Sequence, residues 1–142
     1  MSDANRYRLD PLRDARTRDE KVRKGELAGA VGEARSTEVE LARATERVAS
    51  ARAALDAARA PTVAGSAAAI LRGEQFVVRR RRELERAIDA RLRADAAHRG
   101  QLDAVDTARG RLAYARGQRE VIERHFAQWR TQRRKLAERR ED

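Results

Sequence analysis

"LAGAVGEARSTEVELARATERVASARAALDAA", residues 27–58, decides the fold, because its aliphatic and small residues recur with a period of seven. One row consists of Leu27, Ala34, Leu41, Val48 and Leu55, and a second row consists of Ala30, Thr37, Ala44, Ala51 and Ala58. Such a/d rows are typical of a coiled-coil helix. The alanine-rich second row predicts close approach of a partner helix. Before Leu27 the pattern is looser, and glycines at 25, 29 and 32 predict a weakened helix there.

Helix-capping residues, prolines and a glycine predict where the helices begin and end. Asp10 and Pro11 read as a helix cap and a first-turn proline. The stretch "APTVAGSAA", residues 60–68, joins the second proline to a glycine and a serine and is the one convincing interior loop. We therefore expect helix one over about 11–59, a loop over about 60–68 and helix two over about 69–139.

The second half carries seam rows of its own. They include Val77, Leu84 and Ile88, then Val105, Leu112, Arg119, Phe126 and Arg133, and the strongest row of Ala108, Ala115, Ile122, Trp129 and Leu136. Two heptad helices joined by one short loop pair antiparallel when they pair within one chain. The predicted fold is all-α: residues 1–142 form a single domain, an antiparallel coiled-coil hairpin.

The two predicted helices differ in length, at about 73 Å and about 105 Å for a rise of 1.5 Å per residue. If pairing starts at the loop, Leu9 lies opposite Gln118; if pairing starts later, near Gln75, the paired part of helix two reaches about residue 125. In both cases helix two overhangs at its C-terminus. The heptads from about Phe126 to Leu136 are then expected to lack an intramolecular partner. The only Trp and one of the two Phe lie in this stretch, "RHFAQWRTQRRKLAE", residues 124–138. An exposed apolar seam of this kind indicates a docking surface.

Composition limits the classes of partner and compartment. The formal net charge is +10, and most of the excess lies after residue 60, so nucleic acid, acidic proteins and anionic membranes all qualify as partners. There is no cysteine, which excludes disulfides and thiolate metal sites. Neither a signal peptide nor a membrane span is visible in the sequence. We expect a cytoplasmic protein.

No catalytic or metal-binding pattern is visible. His98 and His125 are far apart in sequence and are expected to be surface or seam residues of a helix. No glycine-rich loop has the spacing of a phosphate cradle. The four arginines at 79–82 wrap around a helix and precede two glutamates, which favours a solvated face over a phosphate-binding one. The chain is therefore expected to be a non-enzyme with no cofactor and no metal.

Three stretches have a characteristic order along the chain: "YRLDPLRDARTRDEKVRKGELAGA" at the start, "AGSAAAILRGEQFVVRRRRELERAI" around the second-helix entry, and "EVIERHFAQWRTQRRKLAERRED" at the end. Together they resemble one family, the FliJ/YscO (SctO) central-stalk proteins of flagellar and injectisome type III secretion. The resemblance covers nearly the whole chain in length, loop position and pattern. Pro11 and the arginine-rich second half depart from the family pattern, and the resemblance does not distinguish the flagellar from the injectisome branch.

The resemblance implies an antiparallel coiled coil that sits in the hexameric export ATPase, stimulates it, links it to the export gate and takes part in recycling export chaperones. Ring contacts are then expected on the overhang, from apolar Ile122, Phe126, Trp129 and Leu136 and from cationic Arg130, Arg133 and Arg134. For the loop end, the resemblance implies contact with the export gate, with Phe76 as candidate. A role of Phe76 in closing the hairpin core is the alternative.

Two other functions fit the residues. A basic coiled coil can bind nucleic acid, with an affinity that falls as salt rises. A scaffold can also self-associate, because an unpaired seam can pair with its own copy.

Overall fold

The computed structural model describes residues 6–60 and 65–141, and this part of the chain contains two long helices and no strand. Helix α1 spans Asp10–Arg59 (50 residues) and helix α2 spans Ala67–Glu141 (75 residues). Residues 1–5 and 61–64 lie outside the described residues, and so does Asp142. The opening segment and the predicted loop are therefore described only in part. The prediction of an all-α chain of two long helices is confirmed.

Local hydrogen bonds explain where each helix begins. The N–H of Asp10 donates to the carbonyl of Tyr7 over 3.2 Å, so a turn leads directly into α1. At the start of α2, the hydroxyl of Ser66 accepts from the N–H of Ala69 over 3.2 Å. A serine cap satisfies an N–H that the helix itself leaves unpaired. Because Ser66 supplies this cap, α2 begins two residues before the predicted start.

The contacts divide the chain into two compact units, each described by itself. The central unit spans Val31–Asp103 and contains the end of α1 and the start of α2. Its buried residues Ala34, Ala44, Val48 and Leu55 belong to the predicted rows of α1. Across the helices, the hydroxyl of Thr37 lies 2.9 Å from Nδ1 of His98. The heptad seam of the central unit is therefore confirmed.

The level of this contact shows how α2 extends past the end of α1 in the central unit. Arg59 follows Thr37 on α1 by as many residues as Phe76 precedes His98 on α2. In an antiparallel pair, Arg59 and Phe76 therefore lie at the same level. The residues 67–75 then have no α1 residue opposite them, and all of them are exposed. Of the two expected starting points, the loop is wrong and a start near Gln75 is confirmed, because the first turns of α2 lie beyond the end of α1.

The terminal unit combines the described residues up to Ala30 with those from Ala104 onward. Three cross-helix contacts define its pairing: Tyr7 with Phe126, Arg13 with Glu123, and Glu20 with Arg119. Partners move back along α2 as residues advance along α1, which is the order of an antiparallel pair. The level of Leu9 with Gln118, expected for pairing from the loop, is therefore wrong by about two turns. The limit near residue 125, expected for pairing from near Gln75, agrees with these contacts.

Buried side chains of the terminal unit come mainly from α2. They are Val105, Ala108, Leu112, Ala115 and Ile122, joined by Tyr7 and the carboxylate of Glu20. In contrast, Leu12 and Val22 on α1, and Leu9 just before it, are exposed. The looser apolar pattern before Leu27 thus marks no core in this unit.

Candidate partner-binding surface

An aromatic cluster lies where the segment before α1 meets α2. Tyr7 is 4% exposed, and its ring centroid lies 5.0 Å from that of Phe126 and 5.2 Å from that of Trp129. Phe126 and Trp129 also stack on each other at 5.8 Å. Both are half-buried. The expectation that these two seam residues lack an intramolecular partner is therefore wrong, because the chain places Tyr7 over them.

The hydroxyl of Tyr7 adds a polar contact to the aromatic cluster. It lies 2.6 Å from Nδ1 of His125. Burial, with a smaller effect from the charge of Asp10, raises the pKa of this hydroxyl. The hydroxyl therefore keeps its proton at neutral pH and can donate to Nδ1 when that nitrogen carries none. His125 is an exposed helix residue that helps to hold Tyr7 in place.

Arg13 connects the aromatic cluster to an ion pair. Its guanidinium carbon lies 4.0 Å from the ring centroid of Phe126, and its Nε donates to Glu123 over 2.7 Å. This hydrogen bond is the main cause that lowers the pKa of Glu123. It also raises the pKa of Arg13. Cation, ring and carboxylate thus join the two helices at one level.

A buried carboxylate lies two turns further along α1. Glu20 is 7% exposed and accepts a hydrogen bond from Nε of Arg119. Arg116 and Lys24 each place a nitrogen 3.5 Å from the same carboxylate. Burial raises the pKa of Glu20, but the hydrogen bond from Arg119 and the charges of Arg119 and Lys24 outweigh it, so the net effect lowers the pKa.

The C-terminal part of α2, residues 130–141, continues beyond the aromatic cluster; we call it the tail. Apart from half-buried Arg133, all of its residues are exposed, and Leu136 is 51% exposed. Six Lys or Arg residues and two Glu residues make the tail cationic. The C-terminal overhang is therefore present, but it begins after Trp129 and not near Phe126.

The structure separates the predicted ring-contact residues by exposure. Ile122 is buried, Phe126 and Trp129 are half-covered by Tyr7, and the guanidinium of Arg133 lies 5.8 Å from the ring centroid of Trp129. Leu136, Arg130 and Arg134 present exposed side chains. Whether any of them contacts a partner stays a prediction. In this conformation Phe126, Trp129 and Arg133 are accessible in part, whereas Ile122 is buried.

Phe76 lies in the central unit and is 38% exposed. The guanidinium groups of Arg79 and Arg80 lie 5.8 Å and 4.8 Å from its ring centroid. Both arginines belong to its own helix. This exposure does not fit a residue that closes the hairpin core, whereas it is compatible with a surface contact. Nearby Ile70 and Leu71 are more than half exposed.

Sequence reasoning missed Tyr7, Arg13 and Glu20 as paired residues. The signal was present, because extending the Leu27 row back by heptads reaches Glu20 and then Arg13. A search for apolar residues overlooks these positions because both are charged. Their partners Arg119 and Glu123 lie on or beside the α2 seam.

Within the described residues, no group of three or more His, Cys, Asp or Glu side chains is arranged to hold a metal ion. No helix in that part of the chain combines the length and the apolar character that crossing a bilayer requires. Comparison with known proteins found no matching family model, no matching curated protein and no matching solved structure.

Proposed function

We propose that this protein is a central-stalk component of a type III secretion export apparatus, similar to the FliJ/YscO family. In this proposal it is a non-enzymatic cytoplasmic protein, peripheral to the inner-membrane export apparatus, that inserts into the hexameric export ATPase and stimulates it. It also contacts the cytoplasmic domain of the export gate and export chaperones. The proposal rests on the sequence resemblance together with the geometry of α2.

The single observation that carries the proposal is the exposed tail. α2 is 25 residues longer than α1, and beyond Trp129 its cationic tail continues as a helix. A single helix is about 10–12 Å across with its side chains, which is narrower than a helix pair. The tail can therefore enter a ring opening that excludes the paired helices. Its arginines suit acidic or carbonyl-lined loops, and Leu136 supplies apolar contact.

ATP hydrolysis by the export ATPase of the same organism tests this function. We expect the full-length chain to stimulate hydrolysis and a chain that ends at Arg130 to lose most of the stimulation. This truncation keeps Tyr7, Phe126 and Trp129, so the aromatic cluster remains intact. Absence of stimulation by the full-length chain would overturn the proposed function. Full stimulation by the truncated chain would instead move the contact away from the tail.

Point substitutions separate the tail from a general charge effect. Arg134→Glu places a negative charge on the tail, whereas Arg109→Glu does so on a side chain of α2 that is 67% exposed outside the tail. We expect only Arg134→Glu to reduce stimulation. Equal losses from both variants would indicate a response to net charge, as expected for non-specific association.

A further inference from the structure

The paired charges of the terminal unit are arranged so that only one alignment of the helices satisfies them. In the observed alignment, Arg13 is paired with Glu123, and Glu20 is paired with Arg119 and Arg116. A heptad seam can slide by seven residues and still present a seam to its partner. The residues seven places before and after each partner on α2 therefore show which side chains Arg13 and Glu20 would face after a slip of one heptad.

The apolar residues of this unit do little to prevent a slip. Extending the two α1 rows toward the N-terminus brings Arg23 and Glu20, then Arg16 and Arg13, to the seam. Only Leu27 and Ala30 are apolar seam residues of α1 in this unit. The burial of apolar surface depends on how much area is covered and not on which aliphatic side chain covers it. Apart from the aromatic contacts of Tyr7, selection of the alignment therefore depends on specific polar pairs.

A slip toward the C-terminus of α2 places like charges together. The residue seven places after Glu123 is Arg130, so Arg13 faces an arginine. The residues seven places after Arg119 and Arg116 are Phe126 and Glu123. Glu20 then faces an aromatic ring and another carboxylate. Lys24, on the same helix, is then the cation that remains beside Glu20, and a buried carboxylate that loses its hydrogen-bonded partner across the helices is strongly destabilised.

A slip toward the N-terminus of α2 is also unfavourable. The residue seven places before Glu123 is Arg116, so Arg13 again faces an arginine. The residues seven places before Arg119 and Arg116 are Leu112 and Arg109. Glu20 then has one cation opposite it but loses its hydrogen bond on the seam, because the aliphatic Leu112 cannot donate. Both alternatives therefore lose the seam pair of Glu20 and convert the attraction of Arg13 into repulsion.

We propose that the Glu20–Arg119 and Arg13–Glu123 pairs form a register lock, which selects one alignment of the two helices in the terminal unit. The lock also determines how far the tail extends beyond Tyr7. Each one-heptad slip would lengthen or shorten that extension by about 10 Å, because each residue adds about 1.5 Å to a helix. This inference concerns pairing alone and does not depend on the proposed function. Buried ionic groups are best attested in such register-setting roles.

Distance measurement between two spin labels tests the lock directly. The chain has no cysteine, so Lys21→Cys and Lys135→Cys place labels on α1 and α2 of the terminal unit without background. Both positions are exposed. A slip by one heptad shifts the axial separation of the labels by about 10 Å. Pulsed electron paramagnetic resonance resolves a shift of that size.

The lock variant R13Q/E20L/R119L/E123Q removes both pairs and places two leucines on the seam. We expect the labelled wild type to give one main distance and this variant to add a population shifted by about 10 Å. The control variant E40Q/R43Q/D95N/R99Q removes the same number of positive and negative charges from two pairs that each lie within a single helix. It is expected to keep the wild-type distance. A lock variant that is helical and keeps only the wild-type distance would overturn the proposal, as would an equal shift in the control.

A charge-reversed variant covers the case in which the lock variant unfolds. E20R/R116E/R119E restores attraction across the helices with the signs exchanged. We expect circular dichroism to show a folded helical protein with the wild-type label distance, whereas E20R alone loses helix or shifts the distance. If the single and the triple variant behave alike, attraction at this level does not set the register.

Discussion

Tyr7 packs against Trp129 with 5.2 Å between their ring centroids, so residues near opposite ends of the chain meet in one contact. The contact turns the end of the α2 seam from a fully open surface into a half-covered one. It also explains why Tyr7, which precedes α1, is among the buried residues. Aromatic pairs at this distance contribute beyond the area that they bury. The aromatic rings therefore pack together in the terminal unit at the point where α1 begins.

Removal of the Tyr7 ring is expected to expose Trp129. This residue is the only Trp in the chain, so tryptophan fluorescence reports on the surroundings of Trp129 and of no other position. Tyr7→Ala should shift the emission to longer wavelength and increase quenching by acrylamide, because water gains access to the indole. Tyr7→Phe keeps the ring and should leave the emission nearly unchanged. Tyr114→Ala is the control, because Tyr114 is 69% exposed. An unchanged spectrum in Tyr7→Ala would contradict the contact.

Acid is expected to destabilise the terminal unit through Glu20 and Glu123. Their cationic partners lower the pKa of each carboxyl in the folded chain. Each carboxylate therefore contributes stability above the unfolded-state pKa of about 4.3, and this contribution is lost as the pH falls through the lower folded-state pKa. The measurement is urea unfolding at pH values from about 7 down to below the unfolded-state pKa.

Substitution identifies which carboxylates cause this acid dependence. E20Q/E123Q should be less stable than the wild type at neutral pH and should lose less stability on acidification. Glu40→Gln is the control, because Glu40 lies in an exposed pair with Arg43. If E20Q/E123Q and the wild type show parallel losses on acidification, other groups dominate the acid dependence.

The central unit depends on a thin aliphatic seam, so truncation of a buried leucine should be costly. Leu55 is 4% exposed, and Leu55→Ala is expected to lower the free energy of unfolding by about 2–4 kcal/mol through lost burial and a residual cavity. Leu92 lies in the same unit and is 56% exposed. Leu92→Ala should therefore cost less than about 0.5 kcal/mol. Urea unfolding followed by circular dichroism measures both, and equal losses would contradict the assigned seam.

The sequence predicted the helices and much of the seam because heptad periodicity reports directly on which face is buried. Ala34, Ala44, Val48 and Leu55 are buried as their rows require. Periodicity cannot fix the alignment, because a seven-residue pattern is unchanged by a slip of seven residues. The level of Tyr7 with Phe126 therefore could not be obtained from the pattern. It depends on charged pairs and on the unpaired turns at the start of α2. The spacing of apolar residues reports on neither feature.

Replacing glycines in α2 and just before it tests whether the folded chain requires a residue without a Cβ atom at these positions. A Cβ atom added at Gly110 or Gly117 would meet nothing within 4 Å, so alanine fits at both positions. Replacing an interior helical glycine with alanine should stabilise the chain by about 0.5–1 kcal/mol, because alanine loses less backbone entropy. A Cβ atom at Gly65, before α2, would lie 3.1 Å from the Cβ of Ala69, so Gly65→Ala should give no such gain. Thermal unfolding of G110A, G117A and G65A measures the three effects. Destabilisation by G110A or G117A would show that these glycines serve a contact within the folded chain. Stabilisation combined with weaker stimulation of the proposed partner ATPase would instead indicate a partner that approaches this face of α2.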